Sequence, residues 1–176
     1  MTDSIQASSE IQHRSARPDL SVALRASAGS GKTKVLVDRF LRLCIEDGPG
    51  RAHPRAILAI TFTRKAAVEI QERLLKRARE LALADKEILT AKLTDLFAGR
   101  AHPAPSAAEL TAAANLLEQV LEDVSGLNVG TIHSFCQLIL GRFAAEAGLD
   151  PHFSVLENQD DLIDEALESL EREMAA

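Results

Sequence analysis

Ala26-Ser27-Ala28-Gly29-Ser30-Gly31-Lys32-Thr33 is the stretch of this sequence whose residue types and spacing could do chemistry. A run of small residues lets consecutive backbone amides turn inward around a phosphate, and a helix starting at its end adds the positive pole of its dipole. Lys32 supplies a movable cation for the β- and γ-phosphates, and the Thr33 hydroxyl completes the shell of a Mg²⁺ ion. Both must therefore open the helix. Ala26 stands where the pattern Gly-x-x-x-x-Gly-Lys-Ser/Thr has its first glycine, and a methyl group leaves the turn open when φ is negative. The plain alternative is a glycine-rich turn that only caps a helix. A strand before, a helix after and Gly31-Lys32-Thr33 together weigh against it, so the pattern predicts a site for ATP with Mg²⁺.

Such a loop needs a strand to deliver it and a helix to receive it. Residues 21–26 read as a short β-like run, and residues 34–45 as a helix with Leu36, Val37, Phe40, Leu41 and Cys44 on one face. Gly48, Pro49, Gly50 and Pro54 mark a loop, after which residues 56–62 form a continuous apolar run of the kind buried on both faces of a sheet. Strand, helix and strand predict a parallel βαβ unit. Residues 65–83 are helical by period, with Ala67, Ile70, Leu74, Ala78 and Leu81 aligned. Two further amphipathic stretches, 85–97 and 106–124, follow, the second opening on a capping box of Ser106 and Glu109. Joined by the loop 99–105, they predict a helical hairpin inserted between strands. Residues 127–130 predict a third strand and 131–145 another helix, with Ile132, Phe135, Cys136, Ile139 and Phe143 in phase. Residues 160–174 predict a closing amphipathic helix.

The chain has 176 residues, 46% of them apolar and 26% charged, enough for one sizeable core and unlike a disordered or fibrous chain. Cys44 and Cys136 lie far apart without a Cys-x-x-Cys pair, which excludes a disulfide framework or zinc knuckle and reads as two buried thiols in a reducing compartment. No run approaches the roughly 18 apolar residues of a membrane span, and the polar residues 1–18 lack a signal-peptide core. A cytoplasmic protein without a membrane partner is expected. The net charge of −6 is unevenly spread: residues 157–173 hold eight acids against one Arg, a net −7, which leaves +1 for the rest. Residues 64–80 carry six bases against three acids, a local +3 that suits a charged partner or a solvated helix face.

Two further segments extend the phosphate loop into a pattern. Thr61-Phe62-Thr63-Arg64-Lys65-Ala66-Ala67, with Val68 to Leu74 after it, and Gly130-Thr131-Ile132-His133-Ser134-Phe135-Cys136 follow in order and spacing. With Ala26 to Thr33 they make the chain resemble a superfamily 1 DNA helicase of the UvrD/Rep type over residues 12–157. Within that group, Ile132 to Gln137, Glu146-Ala147-Gly148, Pro151, Phe153 and Val155-Leu156 look most like the AddA/RecB branch of helicase-nuclease motor subunits.

The resemblance implies a P-loop NTPase of α/β class, a RecA-like parallel sheet flanked by helices with an inserted helical subdomain. It implies ATP and Mg²⁺ as cofactors, single- and double-stranded DNA as partner, and a second helicase-nuclease subunit. Gln12 stands where the family places a glutamine that reads adenine. Thr61, Phe62, Thr63, Arg64 and Lys65 stand in one DNA-contacting motif, and Thr131, His133, Ser134 and Phe135 in the next. Phe62 offers a stacking face, with a core aromatic as the alternative; His133 suits hydrogen bonding, with a satisfied structural histidine as the alternative. The family usually has Asn where this chain has Arg64.

Hydrolysis needs a carboxylate for Mg²⁺ and another to orient water, which the family carries in a later Asp-Glu-x-x-Asp motif. Glu157-Asn158-Gln159-Asp160-Asp161 resembles it only superficially. The chain therefore reads as an N-terminal motor fragment: a flexible segment 1–18, motor residues 19–84, the helical insertion 85–126, a continuation 127–157 and an acidic helix 158–176. Lys32 and Thr33 are its expected catalytic residues in an intact helicase that translocates on single-stranded DNA in repair, while the fragment alone is expected to be inactive. Two other readings stay open, a small phosphoryl-transfer enzyme such as a kinase and a non-catalytic ATP- or DNA-binding module.

Overall fold

A computed structural model describes residues 2–25, 27, 29–122, 127–150, 153 and 160–174. The chain divides into two compact units, Met1–Ile132 and His133–Ala176. The first contains helix α1 (Thr2–Ser15), α2 (Lys32–Ile45), a 3-10 turn (Pro54–Ala56), β1 (Ala59–Thr61), α3 (Arg64–Ala82), α4 (Lys86–Leu96), α5 (Ala107–Leu121) and β2 (Val129–Thr131). Helix α6 (Ile132–Arg142) starts at the boundary, and α7 (Asp160–Met174) lies in the second unit.

Apolar periodicity accounts for the helices of the first unit. Ala67, Ile70, Leu74, Ala78 and Leu81 are the buried residues of α3. They meet Val37, Phe40, Leu41, Cys44 and Ile45 of α2, Leu89, Leu93 and Leu96 of α4, and Ala112, Ala113, Leu116 and Val120 of α5 in one core that also takes in Val129 of β2. Each fully buried leucine contributes about 1.5–3 kcal/mol to such a core. Helices α4 and α5 thus share the core of the flanking helices while lying between β1 and β2 in the chain.

Local signals set the helix starts. The Thr63 hydroxyl accepts from the Ala66 amide at 3.1 Å to begin α3. Ser106 and Glu109 form the expected capping box of α5. Glu109, 1% exposed, also accepts from the Asp47 amide at 3.0 Å and from Arg100 at 2.6 Å, so one carboxylate joins the start of α5, the loop before it and the end of α2. The Arg100 guanidinium stacks 4.6 Å from the Phe97 ring centroid, which closes the same corner.

Strands β1 and β2 run parallel, with Ala59 opposite Val129, Ile60 opposite Gly130 and Thr61 opposite Thr131. The sheet differs from the expected one in three respects. Residues 21–25 form no strand; Val22 is 43% exposed and the Leu20 carbonyl accepts from an Arg39 side chain rather than from a ladder neighbour. The apolar run 56–62 keeps only three residues as strand, because Pro54 at the first position of the 3-10 turn holds the chain helical through Ala56. That strand is not buried on both faces either: Ile60 is 41% exposed, while Ala59 and Thr61 on the other face are partly buried.

Two other expectations are corrected. The segment expected to be flexible is helix α1, and Ser15 and Ala16 at its end are buried. Cys44 is buried as expected, but Cys136 is exposed, because the apolar residues Ile132, Leu138, Ile139 and Leu140 of α6 are themselves exposed and form no covered face. Helix α7 has the expected bounds. Among the described residues no helix is long and apolar enough to cross a membrane.

Candidate functional site

The phosphate loop takes the shape its glycines allow. Gly29 has φ 77° and Gly31 φ 88°, left-handed values that other residues adopt only under strain. Gly31 is the N-cap of α2 and offers no side-chain cap, and the first turn holds no acidic residue. The N-terminus of α2 therefore carries the positive end of the helix dipole with no side-chain cap and no acidic side chain in its first turn, the arrangement that suits an anion.

Ser27 is the hub of the loop. Its carbonyl accepts from the Ser30 hydroxyl at 2.7 Å, from the Ser30 amide at 3.4 Å and from the Lys32 ammonium. Lys32 thus folds back over the loop, and Thr33 follows it in the first turn. Ala26 and Ala28, expected to line the same loop, lie outside the described residues. A phosphate-bound Mg²⁺ ion would find the Thr33 hydroxyl here; among the described residues there is no group of three or more His, Cys, Asp or Glu able to hold a metal.

Gln12 comes to this loop from α1. Its side-chain amide donates to the Ser30 carbonyl at 3.3 Å, and a Cβ built on Gly31 would lie 2.9 Å from its Nε2. The structure therefore brings together Gln12, Ser27, Gly29, Ser30, Gly31, Lys32 and Thr33 from two elements. A separate cavity of about 340 Å³ is lined in part by His13, Lys34, Val37, Asp38, Arg73 and Arg77, with neither Gln12 nor Lys32 on its wall. Lys34 pairs with Asp38 at 2.8 Å, and Arg77 lies 3.9 Å from the same carboxylate. His13, Lys34 and Asp38 were not foreseen. The signal for two of them was adjacency, His13 following Gln12 and Lys34 following Thr33, and for Asp38 its i,i+4 spacing from Lys34.

The second group of residues is organised by the two strands. Thr61 ends β1, Phe62 follows it 97% exposed, and Thr63, Arg64 and Lys65 form the cap and first turn of α3. Thr131 ends β2 beside Thr61 and is buried. Gln71, two turns into α3, donates to the Val129 carbonyl at 3.0 Å and so fixes the helix of the first segment to the strand of the next. His133, Ser134 and Phe135 lie in α6, in the second unit; His133 and Ser134 are exposed and Phe135 is partly buried. The acidic run 157–161 lies outside the described residues except that Asp160 and Asp161 open α7, a helix start and not a strand end.

A glycine-bent loop running into an uncapped helix N-terminus, closed by lysine and threonine, defines a nucleotide-binding protein of the P-loop NTPase class. The chain belongs to the UvrD/REP helicase N-terminal domain family, whose model matches residues 7–176. It is similar to ATP-dependent helicase/nuclease subunits of the AddA type: 35% identical over 153 residues to that of Lactobacillus gasseri, covering 85% of this chain and 10% of the relative. The Lactobacillus johnsonii protein is 35% identical over 86% of this chain and 10% of its own length. For Carboxydothermus hydrogenoformans the values are 30%, 86% and 12%. The chain spans about a tenth of the length of these relatives. Their shared name agrees with the AddA-like branch expected from Ile132 to Gln137.

Proposed function

We propose that this chain is the ATP-binding first motor domain of a DNA helicase that translocates on single-stranded DNA in repair and recombination. The observation that carries the reading is Gln12 bonded to Ser30 at the edge of the phosphate loop. A carboxamide there offers one donor and one acceptor, the complement of the adenine edge.

In this reading Lys32 leaves the Ser27 carbonyl for the β- and γ-phosphates, and the amides of Gly29, Ser30 and Gly31 turn to the same oxygens. Thr33 holds Mg²⁺, which neutralises phosphate charge when bound. Thr61, Phe62, Thr63, Arg64 and Lys65 of one motif contact single-stranded DNA, as do Thr131, His133, Ser134 and Phe135 of the next. Residues 85–126 are the helical insertion of a RecA-like domain made of 19–84 and 127–157. The partners are DNA and, as the relatives' name suggests for them, another component of a helicase-nuclease; the setting is the cytoplasm.

The test is ATP binding and hydrolysis by this chain with and without single-stranded DNA, beside Lys32→Ala. Binding that depends on Lys32 without turnover supports a first motor domain separated from its hydrolytic acids. Turnover stimulated by DNA would place those acids within this chain. Turnover indifferent to DNA would favour a phosphoryl-transfer enzyme and overturn the proposal.

A further inference from the structure

Arg39 lies on α2, seven residues after Lys32 and about 10 Å farther along the helix axis. Its guanidinium donates to the Arg17 carbonyl and, at 2.7 Å, to the Leu20 carbonyl. One turn on, Arg42, 1% exposed, donates to the His13 carbonyl at 3.4 Å and to Glu46 at 2.7 Å. The helix that begins at the phosphate loop therefore grips three carbonyls between residues 13 and 20, one in the last turn of α1 and two in the segment that leaves it.

Gln12 is the residue immediately before this gripped segment. Its carbonyl accepts from the Ala16 amide at 3.0 Å, which makes residues 12–16 one helical turn, and its side chain reaches Ser30 at 3.3 Å. That contact is near the limit of a hydrogen bond, so sliding α1 along α2 by even about 1 Å would break it. Planar, always-charged guanidinium groups hold several carbonyls in one geometry better than an ammonium could.

We propose that Arg39, seconded by Arg42, is a positioning residue for nucleotide-base recognition: it holds the end of α1 against α2 so that the Gln12 carboxamide stands at the phosphate loop, aimed at an adenine edge. The inference rests on the reading of Gln12 given above. Arg39 touches no phosphate or base in this scheme; it acts through Gln12. It is only partly buried, whereas Arg42 belongs to the folded corner around Phe97, so Arg39 is the residue to vary.

The experiment titrates the chain with ATP, GTP and inorganic tripolyphosphate, for the wild type, Arg39→Ala, Arg39→Lys, Gln12→Ala and the double alanine variant, with thermal melts as the check on folding. Arg39→Ala should weaken ATP about five- to tenfold, the worth of roughly one hydrogen bond, and erase the preference for ATP over GTP. Tripolyphosphate affinity should stay within about twofold, the double variant should be no weaker than Gln12→Ala alone, and Arg39→Lys should recover part of the loss. Equal losses for ATP and tripolyphosphate would make Arg39 merely structural and overturn the inference, as would a base preference untouched by Arg39→Ala while Gln12→Ala removes it. If Gln12→Ala itself leaves the preference unchanged, or the wild type has none, the adenine reading fails and the inference with it. Should Arg39→Ala not fold, Arg39→Lys carries the same comparison.

Discussion

Thr61 and Thr131 are register partners, the last pair of the parallel ladder between β1 and β2. Parallel strands place their carboxyl ends on one edge, the edge where open α/β folds bind ligands. Phe62 and Ile132, the residues that follow, therefore leave from neighbouring positions although about 70 residues separate them in the chain. Gln71 reinforces the pairing from α3 through its bond to the Val129 carbonyl.

Gln71→Leu should then act on DNA binding from a distance. The change keeps approximate volume, removes one partly buried hydrogen bond and costs about 1 kcal/mol of stability. Affinity for an oligothymidine strand should fall a few-fold while ATP affinity holds, measured by fluorescence anisotropy and nucleotide titration. Equal losses for both ligands would show that Gln71 serves only the fold.

Phe62 gives a sharper separation. At 97% exposure its ring has no core to lose, so Phe62→Ala should leave stability within about 0.5 kcal/mol of wild type. A stacking contact is worth about 1–3 kcal/mol per base, so affinity for single-stranded DNA should drop roughly five- to 150-fold. A melt lowered by the several kcal/mol typical of a lost core aromatic would sink this assignment, as would unchanged DNA binding.

Helices were legible in the sequence because α3 writes its buried face at Ala67, Ile70, Leu74, Ala78 and Leu81 with an unbroken helical period. The phosphate loop was legible because glycine at 29 and 31 is needed for positive φ. Strands were not: residues 56–62 are apolar throughout, yet Pro54 and a single parallel neighbour leave only Ala59–Thr61 paired. Gln12 was the weakest of the site residues on sequence alone, since a glutamine in a polar stretch is ordinarily solvated. Its meaning comes from Arg39 and Arg42, contacts 18 to 29 residues apart that no periodicity encodes. Cys136 was misread because α6 has the period of a buried helix without the cover of one.

The cysteines make a chemical prediction. Burial pushes the Cys44 thiol up to about 12, with Arg51 pulling weakly the other way, so at about pH 8 it is almost wholly protonated and inert. Cys136 is exposed. Iodoacetamide should add one equivalent to the native chain and two after denaturation, read by mass spectrometry of the peptides. Rapid native labelling at Cys44 would mean that α2 does not pack as described.

Glu109 predicts how the first unit responds to acid. Burial pushes its carboxyl up, but hydrogen bonds from Arg100 and from the Ser106 and Asp47 amides outweigh that and hold it below the ordinary carboxylate range. A carboxylate whose folded value is depressed stabilises the fold fully above its unfolded value, near 4.5, and loses that contribution as pH falls toward the folded one. Glu109→Gln keeps the shape but leaves Arg100 without its closest anion and should cost about 2–4 kcal/mol at pH 7. The gap in melting temperature between wild type and variant should be constant from pH 7 to about 5 and narrow below about 4.5. A gap that widens in acid would reverse the sign of the linkage and refute the role given to the Arg100 pair.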